Sequence, residues 1–313
     1  MIALSHKSKH YGLIALKVLI LSLTFGYIYS KITGQQGISF NQFIYSIHLE
    51  NSGFVVLCVG LAVSNWILEI LKWQTVVSFI EKLSFRTATR QSLAALTVSL
   101  ATPNRIGDYG AKAYFFEARH RKQILLLNFF SNSVQMGVTV FFGCFGLIYA
   151  ALKFGLALST MGVVVGILLF IFFGIIGFVF KEKQLLIKGL TLTKLARYIK
   201  NLPATIQWKT LLFSFFRYAI FSFLFFLLLN FFGAEITLFK AIPIICAMYL
   251  LVSIVPTLFL FDVVIRGGVA VWLFGMANIP EWPVLATVFC MWMLNFVLPA
   301  LWGSFYVLTH KRS

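Results

Sequence analysis

The chain has 313 residues, of which 60% are hydrophobic and only 11% are charged. Soluble domains carry about 45–50% apolar and about 25% charged residues, so this composition excludes a soluble globular protein, a disordered chain and a disulfide-rich secreted scaffold. Twenty-six lysines and arginines against nine aspartates and glutamates give a net charge of +17. Because the basic residues cluster between apolar runs, this excess is typical of cytoplasmic loops of membrane proteins and does not indicate a nucleic-acid partner.

Long apolar runs predict membrane-spanning helices, since about 20 apolar residues cross a bilayer. Proline and glycine interrupt two other apolar stretches, 91–118 and 238–276, where we predict helical hairpins that enter and leave the membrane on the same side. The first arm of the first hairpin, 91–101, is about 16 Å long as a helix, too short for a core of about 30 Å. The predicted spans are 12–30, 53–71, 124–152, 154–180, 210–233 and 282–309.

The distribution of basic residues predicts the orientation of the chain. With both termini in the cytoplasm and both hairpins returning to their side of entry, most lysines and arginines face the cytoplasm, as the positive-inside rule requires. Hairpins that each make two full crossings give the same orientation, so charge leaves that alternative open. The segment 184–206 mixes leucine and isoleucine with basic residues, which fits either an interfacial amphipathic helix or a basic cytoplasmic loop.

The spans and hairpins follow the same order in both halves of the chain. Residues 1–152 and 154–313 each read as span, span, hairpin and span, but in opposite orientations. The segments 96–116 and 250–274 both carry Val-Ser, then proline, aspartate and a basic residue. We therefore predict one integral membrane domain, an all-α inverted-repeat bundle with two broken re-entrant hairpins. Transporters recurrently use this design, with the site at the repeat interface.

The broken hairpins predict a polar interior, because non-helical backbone survives in hydrocarbon only beside protein or a wet cavity. Asp108 with Lys112, and Asp262 with Arg266, have the four-residue spacing that lets an acid and a base pair on a helix. Such pairs either lock the hairpins or line a route for a charged headgroup, and the cost of intramembrane charge favours the route. The predicted hairpin breaks are Pro103, Gly107, Gly110, Pro256, Gly267 and Gly268. The candidate substrate-binding residues are Glu69, Arg105, Asp108, Lys112, Arg217, Asp262 and Arg266.

Catalytic and cofactor motifs are not visible in the sequence. The four cysteines lie separately within apolar runs, and the five histidines lie at ends or in loops, which favours neither a disulfide nor a metal site. The sequence contains neither a phosphate-binding P-loop nor a dinucleotide-binding glycine fingerprint. We therefore expect no cofactor and no catalytic residue, and we favour a non-enzymatic role.

The segment TPNRIGDYGAKAYFF (102–116) resembles the lysylphosphatidylglycerol synthase transmembrane-region family, also called flippase-like domain proteins. Asp108 stands where the family more often has glutamate. The segments 64–73 and 256–274 are similar to two further regions of the family, although the second lacks the usual glycine-rich start after Pro256. The positions that match the family motif are Thr102, Pro103, Arg105, Gly107 and Lys112.

The resemblance implies a lipid translocase-like fold, here as a stand-alone member without the soluble synthase domain that some members carry. We expect a protein that moves an anionic or zwitterionic lipid, or a polyprenyl-linked one, across the inner membrane. The alternatives are a membrane enzyme or accessory subunit of lipid-linked glycan or aminoacyl-lipid synthesis, and a structural membrane partner without transport. The expected partners are membrane lipid and enzymes of lipid biosynthesis.

Overall fold

The computed structural model describes residues 52–100, 102, 105–154, 192–255 and 259–309. Within these ranges the chain is helical and contains no strand. Two predicted spans, 12–30 and 154–180, lie outside the described residues except for Phe154. The predicted breaks at Pro103 and Pro256 lie outside them as well.

Helices in the described ranges follow one another with short connections, and one π-helical turn, Met293–Val297, interrupts the last of them. In chain order the helices are α1 (Ser52–Val77), α2 (Phe85–Leu100), α3 (Gly107–Tyr114), α4 (Arg121–Phe154), α5 (Leu192–Lys200), α6 (Ala204–Phe231), α7 (Leu238–Ile254), α8 (Phe259–Met276), α9 (Glu281–Trp292) and α10 (Leu298–Leu308).

Four apolar segments are long enough to cross a membrane: α1, α4, α6 and the continuous stretch from α9 through α10. They confirm the predicted spans at 53–71, 124–152, 210–233 and 282–309, and each extends beyond its apolar run at one end or both. Their length and composition make this an all-α polytopic membrane protein. The short helix α5 falls within the basic segment 184–206, and its place at the bilayer surface stays a prediction.

Local sequence explains where α6 begins and ends. Pro203 comes immediately before the helix, where its missing N–H costs nothing because the first helical amides have no partner within the helix. The helix stops just before Gly233, whose φ of 87° lies in the left-handed region that glycine adopts without strain. Proline and glycine thus set the limits of an otherwise uniformly apolar run.

The first predicted hairpin is a helix, a break and a helix that folds back on it, because α2 and α3 pack against each other. Helix α2 begins at Phe85 and is therefore about 24 Å long, still shorter than the hydrocarbon core. The Gly107 amide donates to the Thr102 hydroxyl at 2.8 Å, and Arg105 adopts a positive φ of 55°. Gly107 begins α3, where a β-carbon would meet Thr102, but Gly110 lies inside α3, so the predicted break there is wrong.

The second predicted hairpin consists of α7 and α8, which also pack against each other. Helix α8 runs without interruption through Gly267 and Gly268, so the predicted breaks at these residues are wrong. A glycine inside a helix costs about 1 kcal/mol relative to alanine, which surrounding contacts readily offset. At Gly267 a β-carbon would lie 3.3 Å from the Leu285 side chain, so this glycine permits close packing against α9.

Helices from the N-terminal and C-terminal parts of the chain pack against one another at several places. Helices α1 and α6 are antiparallel, since Phe54 at the start of α1 stacks on Phe231 at the end of α6 with ring centroids 4.6 Å apart. Helix α4 packs on α7, and α10 packs on α2. At both crossings a glycine, Gly146 or Gly303, lies directly against the backbone of the facing helix and leaves no room for a β-carbon.

Candidate functional site

Glu69 of α1 lies at the centre of one buried ion cluster. Its Oε2 accepts hydrogen bonds from Lys72 Nζ at 2.8 Å and Arg217 Nη1 at 2.7 Å, while Oε1 lies 4.0 Å from Lys112 Nζ. Lys72 is 1% exposed, so its charge relies on Glu69 for compensation. The cluster joins α1 to α6 and to the first hairpin.

Asp108 belongs to the same cluster through Lys112, as the four-residue spacing predicts. The Lys112 ammonium lies 3.2 Å from Asp108 Oδ1 and donates to the Asn128 side-chain oxygen at 3.0 Å. The Asn128 amide in turn donates to Asp108 Oδ2 at 2.7 Å, which closes a triangle of hydrogen bonds between α3 and α4. Lys112 also lies 4.6 Å from the centroid of the Trp73 ring, a cation–π contact.

Asp262 of α8 is the centre of a second ion cluster. Its Oδ2 accepts from Arg266 Nε at 3.0 Å, as the spacing predicts, and from Arg105 Nη2 at 3.4 Å. Both guanidinium groups also face the Phe296 ring, at 4.3 Å for Arg105 and 5.6 Å for Arg266. Since Arg105 lies at the break of the first hairpin, this cluster connects the two hairpins directly.

A cavity of about 190 Å³ lies between the two clusters. Arg217 from the first cluster and Arg266 from the second both line it, and no described aspartate or glutamate does. Guanidinium groups bind carboxylate and phosphate oxygens through a planar fork of donors, so this lining suits an anion. The other polar residues that line the cavity are Asn65, Gln135, Thr139, Tyr218, Tyr249 and Ser253.

A second cavity, of about 220 Å³, lies at the other end of the α1–α6 pair and has an entirely apolar surface. It begins at the stacked rings of Phe54 and Phe231 and continues to the π-helical turn. Its lining residues are Phe54, Val55, Cys58, Val59, Leu228, Phe231, Phe232, Cys290, Met293 and Leu294.

The structure brings all seven predicted binding residues into the two clusters, but it divides their roles. Arg217 and Arg266 line the polar cavity, whereas the other five belong to the ion pairs around it. Sequence reasoning missed Lys72, Asn128 and Gln135. Asn128 and Gln135 lie seven residues apart in the uncharged run 124–152, a spacing that places both amides on one helix face, and this signal was available in the sequence.

A scan of the chain against family models finds no match, and searches of curated proteins and of solved structures find no similar chain. The resemblance to the lysylphosphatidylglycerol synthase transmembrane-region family therefore stays a prediction that depends mainly on the motif at 102–116. The functional argument below rests on the geometry of the clusters and the cavity.

Proposed function

We propose that this protein is a lipid translocase of the flippase-like kind, which moves a lipid with an anionic or zwitterionic headgroup across the bacterial inner membrane. The observation that carries the proposal is the polar cavity between two ion clusters, inside a bundle of membrane-length apolar helices. Charged groups within membrane segments are costly and are usually retained for a route or a site. A headgroup could pass through such a cavity while its acyl chains remain in lipid.

The helix contacts support an inverted repeat of residues 1–152 and 154–313. In this repeat α1 corresponds to α6, α2 to α7, and α4 to the stretch from α9 through α10. The contact between α4 and α7 then corresponds to the contact between α10 and α2, and the α1–α6 pair corresponds to itself. The antiparallel arrangement of α1 and α6 fits a two-fold axis in the membrane plane, as in inverted-repeat transporters. Gly146 and Gly303 occupy corresponding places at the two crossings.

The Arg105–Asp262 ion pair supplies a gate in this proposal. It connects the break of the first hairpin to the second hairpin, and Arg105 is 41% exposed, so water can reach and replace the contact. Asp262 is 6% exposed and keeps Arg266 as a partner when Arg105 moves away, so the pair can open without leaving the buried carboxylate uncompensated. Breaking and remaking the pair would open and close the path between the halves.

Transport in liposomes tests the proposal. The purified chain is reconstituted with fluorescent phosphatidylglycerol, phosphatidylethanolamine or phosphatidylcholine, and lipid exchange between leaflets is followed by chemical quenching of the outer leaflet. Arg105→Ala should slow exchange about tenfold, which corresponds to ~1.4 kcal/mol. Arg119→Ala is the matched control, because it removes an arginine that is 73% exposed and pairs with Glu117 outside both clusters.

The proposal fails if no lipid exchanges faster than in protein-free liposomes while the protein remains folded. Formation of a modified lipid without exchange would favour the alternative of an enzyme or accessory subunit of lipid-linked synthesis.

A further inference from the structure

We propose that the polar cavity is a phosphate-binding site, with the phosphate group held between Arg217 and Arg266. The inference deepens the proposed function and rests on it only for the claim that the phosphate belongs to a transported lipid. The site itself follows from the charge, the hydrogen bonding and the size of the cavity.

The charge balance of the two clusters calls for an anion. Their described members include five cations but three carboxylates, an excess of two positive charges, and two of the cations, Lys72 and Lys112, are at most 3% exposed. Uncompensated buried charge is strongly unfavourable, and a bound phosphate would offset it. The cations are Lys72, Arg105, Lys112, Arg217 and Arg266, and the carboxylates are Glu69, Asp108 and Asp262.

The two arginines are oriented by carboxylates that do not line the cavity. Arg217 donates to Glu69 through Nη1, and Arg266 donates to Asp262 through Nε. Each contact uses one part of a guanidinium group that has five N–H donors, so further donors on each arginine can serve a ligand. Glu69 and Asp262 thus fix the orientation of the two arginines, in the way that residues around a metal site orient its ligands by hydrogen bonds.

Four residues that line the cavity have buried polar atoms without a hydrogen-bond partner among the described residues. Arg217 Nε is a donor, and the hydroxyl groups of Tyr218 and Tyr249, each on a residue that is 7% exposed, can donate or accept. The fourth atom is an acceptor, Asn65 Oδ1, on a residue that is 1% exposed. Buried polar groups normally find partners, so this set indicates a ligand that both accepts and donates hydrogen bonds. A phosphate group next to a hydroxyl group has these properties.

The size of the cavity fits such a ligand. A cavity of about 150 Å³ accommodates benzene, so about 190 Å³ holds a phosphate group with a few attached atoms. Phe221, Val252 and Phe296 complete the lining and can contact the carbon atoms of the ligand. Glycerol phosphate, free or as the headgroup portion of a phospholipid, satisfies both the size and the donor pattern.

Calorimetric titration of the full chain in detergent tests the site, with glycerol 3-phosphate as the probe and choline as the cationic control. We expect saturable binding of glycerol 3-phosphate and none of choline. Arg217→Gln and Arg266→Gln should each weaken binding about tenfold or more, and Arg119→Gln should leave it unchanged. Unaltered binding in both cavity variants, or binding of choline alone, overturns the proposal.

Tyr249→Phe keeps the test decisive if an arginine variant fails to fold. It removes one buried donor and little volume, so the chain should fold and bind glycerol 3-phosphate several-fold more weakly. Binding equal to that of the unaltered chain would count against the site.

Competition distinguishes the two sources of phosphate. Phosphatidylglycerol in mixed micelles that displaces glycerol 3-phosphate supports a lipid headgroup in the cavity. Binding of glycerol 3-phosphate that the lipid leaves unchanged supports the phosphate site and contradicts lipid as its ligand. Lipid exchange in liposomes by a chain that does not bind glycerol 3-phosphate overturns the phosphate site and leaves the translocase proposal intact.

Discussion

The two hairpins hold their aspartates in different ways. Asp108 in the first hairpin is bound by Lys112 of its own helix and by Asn128 of the next helix, in a closed triangle that is mostly buried. Asp262 in the second hairpin is bound by Arg266 of its own helix and by Arg105 of the other hairpin. The first aspartate therefore fixes a hairpin to its own half of the chain, whereas the second connects the two halves.

This difference is invisible in the local sequence. Both aspartates have a basic residue four positions later, so both predict the same intrahelical pair. The difference lies in the partner from outside the helix. For Asp108 this partner is Asn128, 20 residues away, and for Asp262 it is Arg105, 157 residues away. The structure thus assigns a locking role and a linking role to two motifs that look alike.

The largest expected effect comes from breaking the buried triangle. Asp108→Ala leaves Lys112, which is 3% exposed, without its nearest carboxylate, and removing one partner of a buried pair costs about 3–5 kcal/mol. We expect a marked drop in the unfolding temperature of the purified protein. The double variant Asp108→Ala/Lys112→Met removes both charges and should recover part of the loss. Equal stability of the single variant and the unaltered chain would contradict the locking role.

An intermediate effect is expected at the two glycine crossings that hold the hairpins. In Gly146→Ala the new β-carbon would overlap the backbone of α7, and in Gly303→Ala it would overlap that of α2. Overpacking of this kind costs about 1–3 kcal/mol. If the halves are related by an inverted repeat, the two variants should lower the unfolding temperature by similar amounts. Gly137→Ala is the control, since a β-carbon there meets no atom within 4 Å.

The smallest effect on stability is expected at the linking aspartate. Asp262→Ala leaves Arg105, which is 41% exposed, and Arg266, which is 20% exposed, with access to water. Asp262 itself is 6% exposed, but its removal leaves two arginines that water can reach, whereas removal of Asp108 leaves a buried lysine. The unfolding temperature should therefore change less than in Asp108→Ala. Lipid exchange in liposomes should nevertheless fall, because the connection between the hairpins is lost. A larger loss of stability than in Asp108→Ala would reverse the comparison.

Hydropathy alone predicts the four described spans, because crossing a bilayer requires a long apolar run whatever the tertiary contacts. The breaks were harder to predict. Gly107 begins a helix beside a tight turn, while Gly110, Gly267 and Gly268 lie within helices. Whether a glycine ends a helix depends on its neighbours in space, which the local sequence does not contain.

The candidate site could be predicted only in part, because the local sequence shows which residues are charged but not which residues surround them in space. Charged residues in apolar runs are conspicuous, so Arg217 and Asp262 could be found without a structure. Lys72 was overlooked because its position near the end of a span suggested contact with water, yet it is 1% exposed beside Glu69. The division between cavity-lining and supporting residues depends on distances between helices and required the structure.

The π-helical turn Met293–Val297 contributes to both cavities. Phe296 lines the polar cavity and faces the guanidinium groups of Arg105 and Arg266, whereas Met293 and Leu294 line the apolar cavity. One added residue in a helix changes the angular position of the residues beyond it by about 100°. Because the walls of both cavities include residues of this one turn, a shift of the irregularity along the last span would alter the two cavities together.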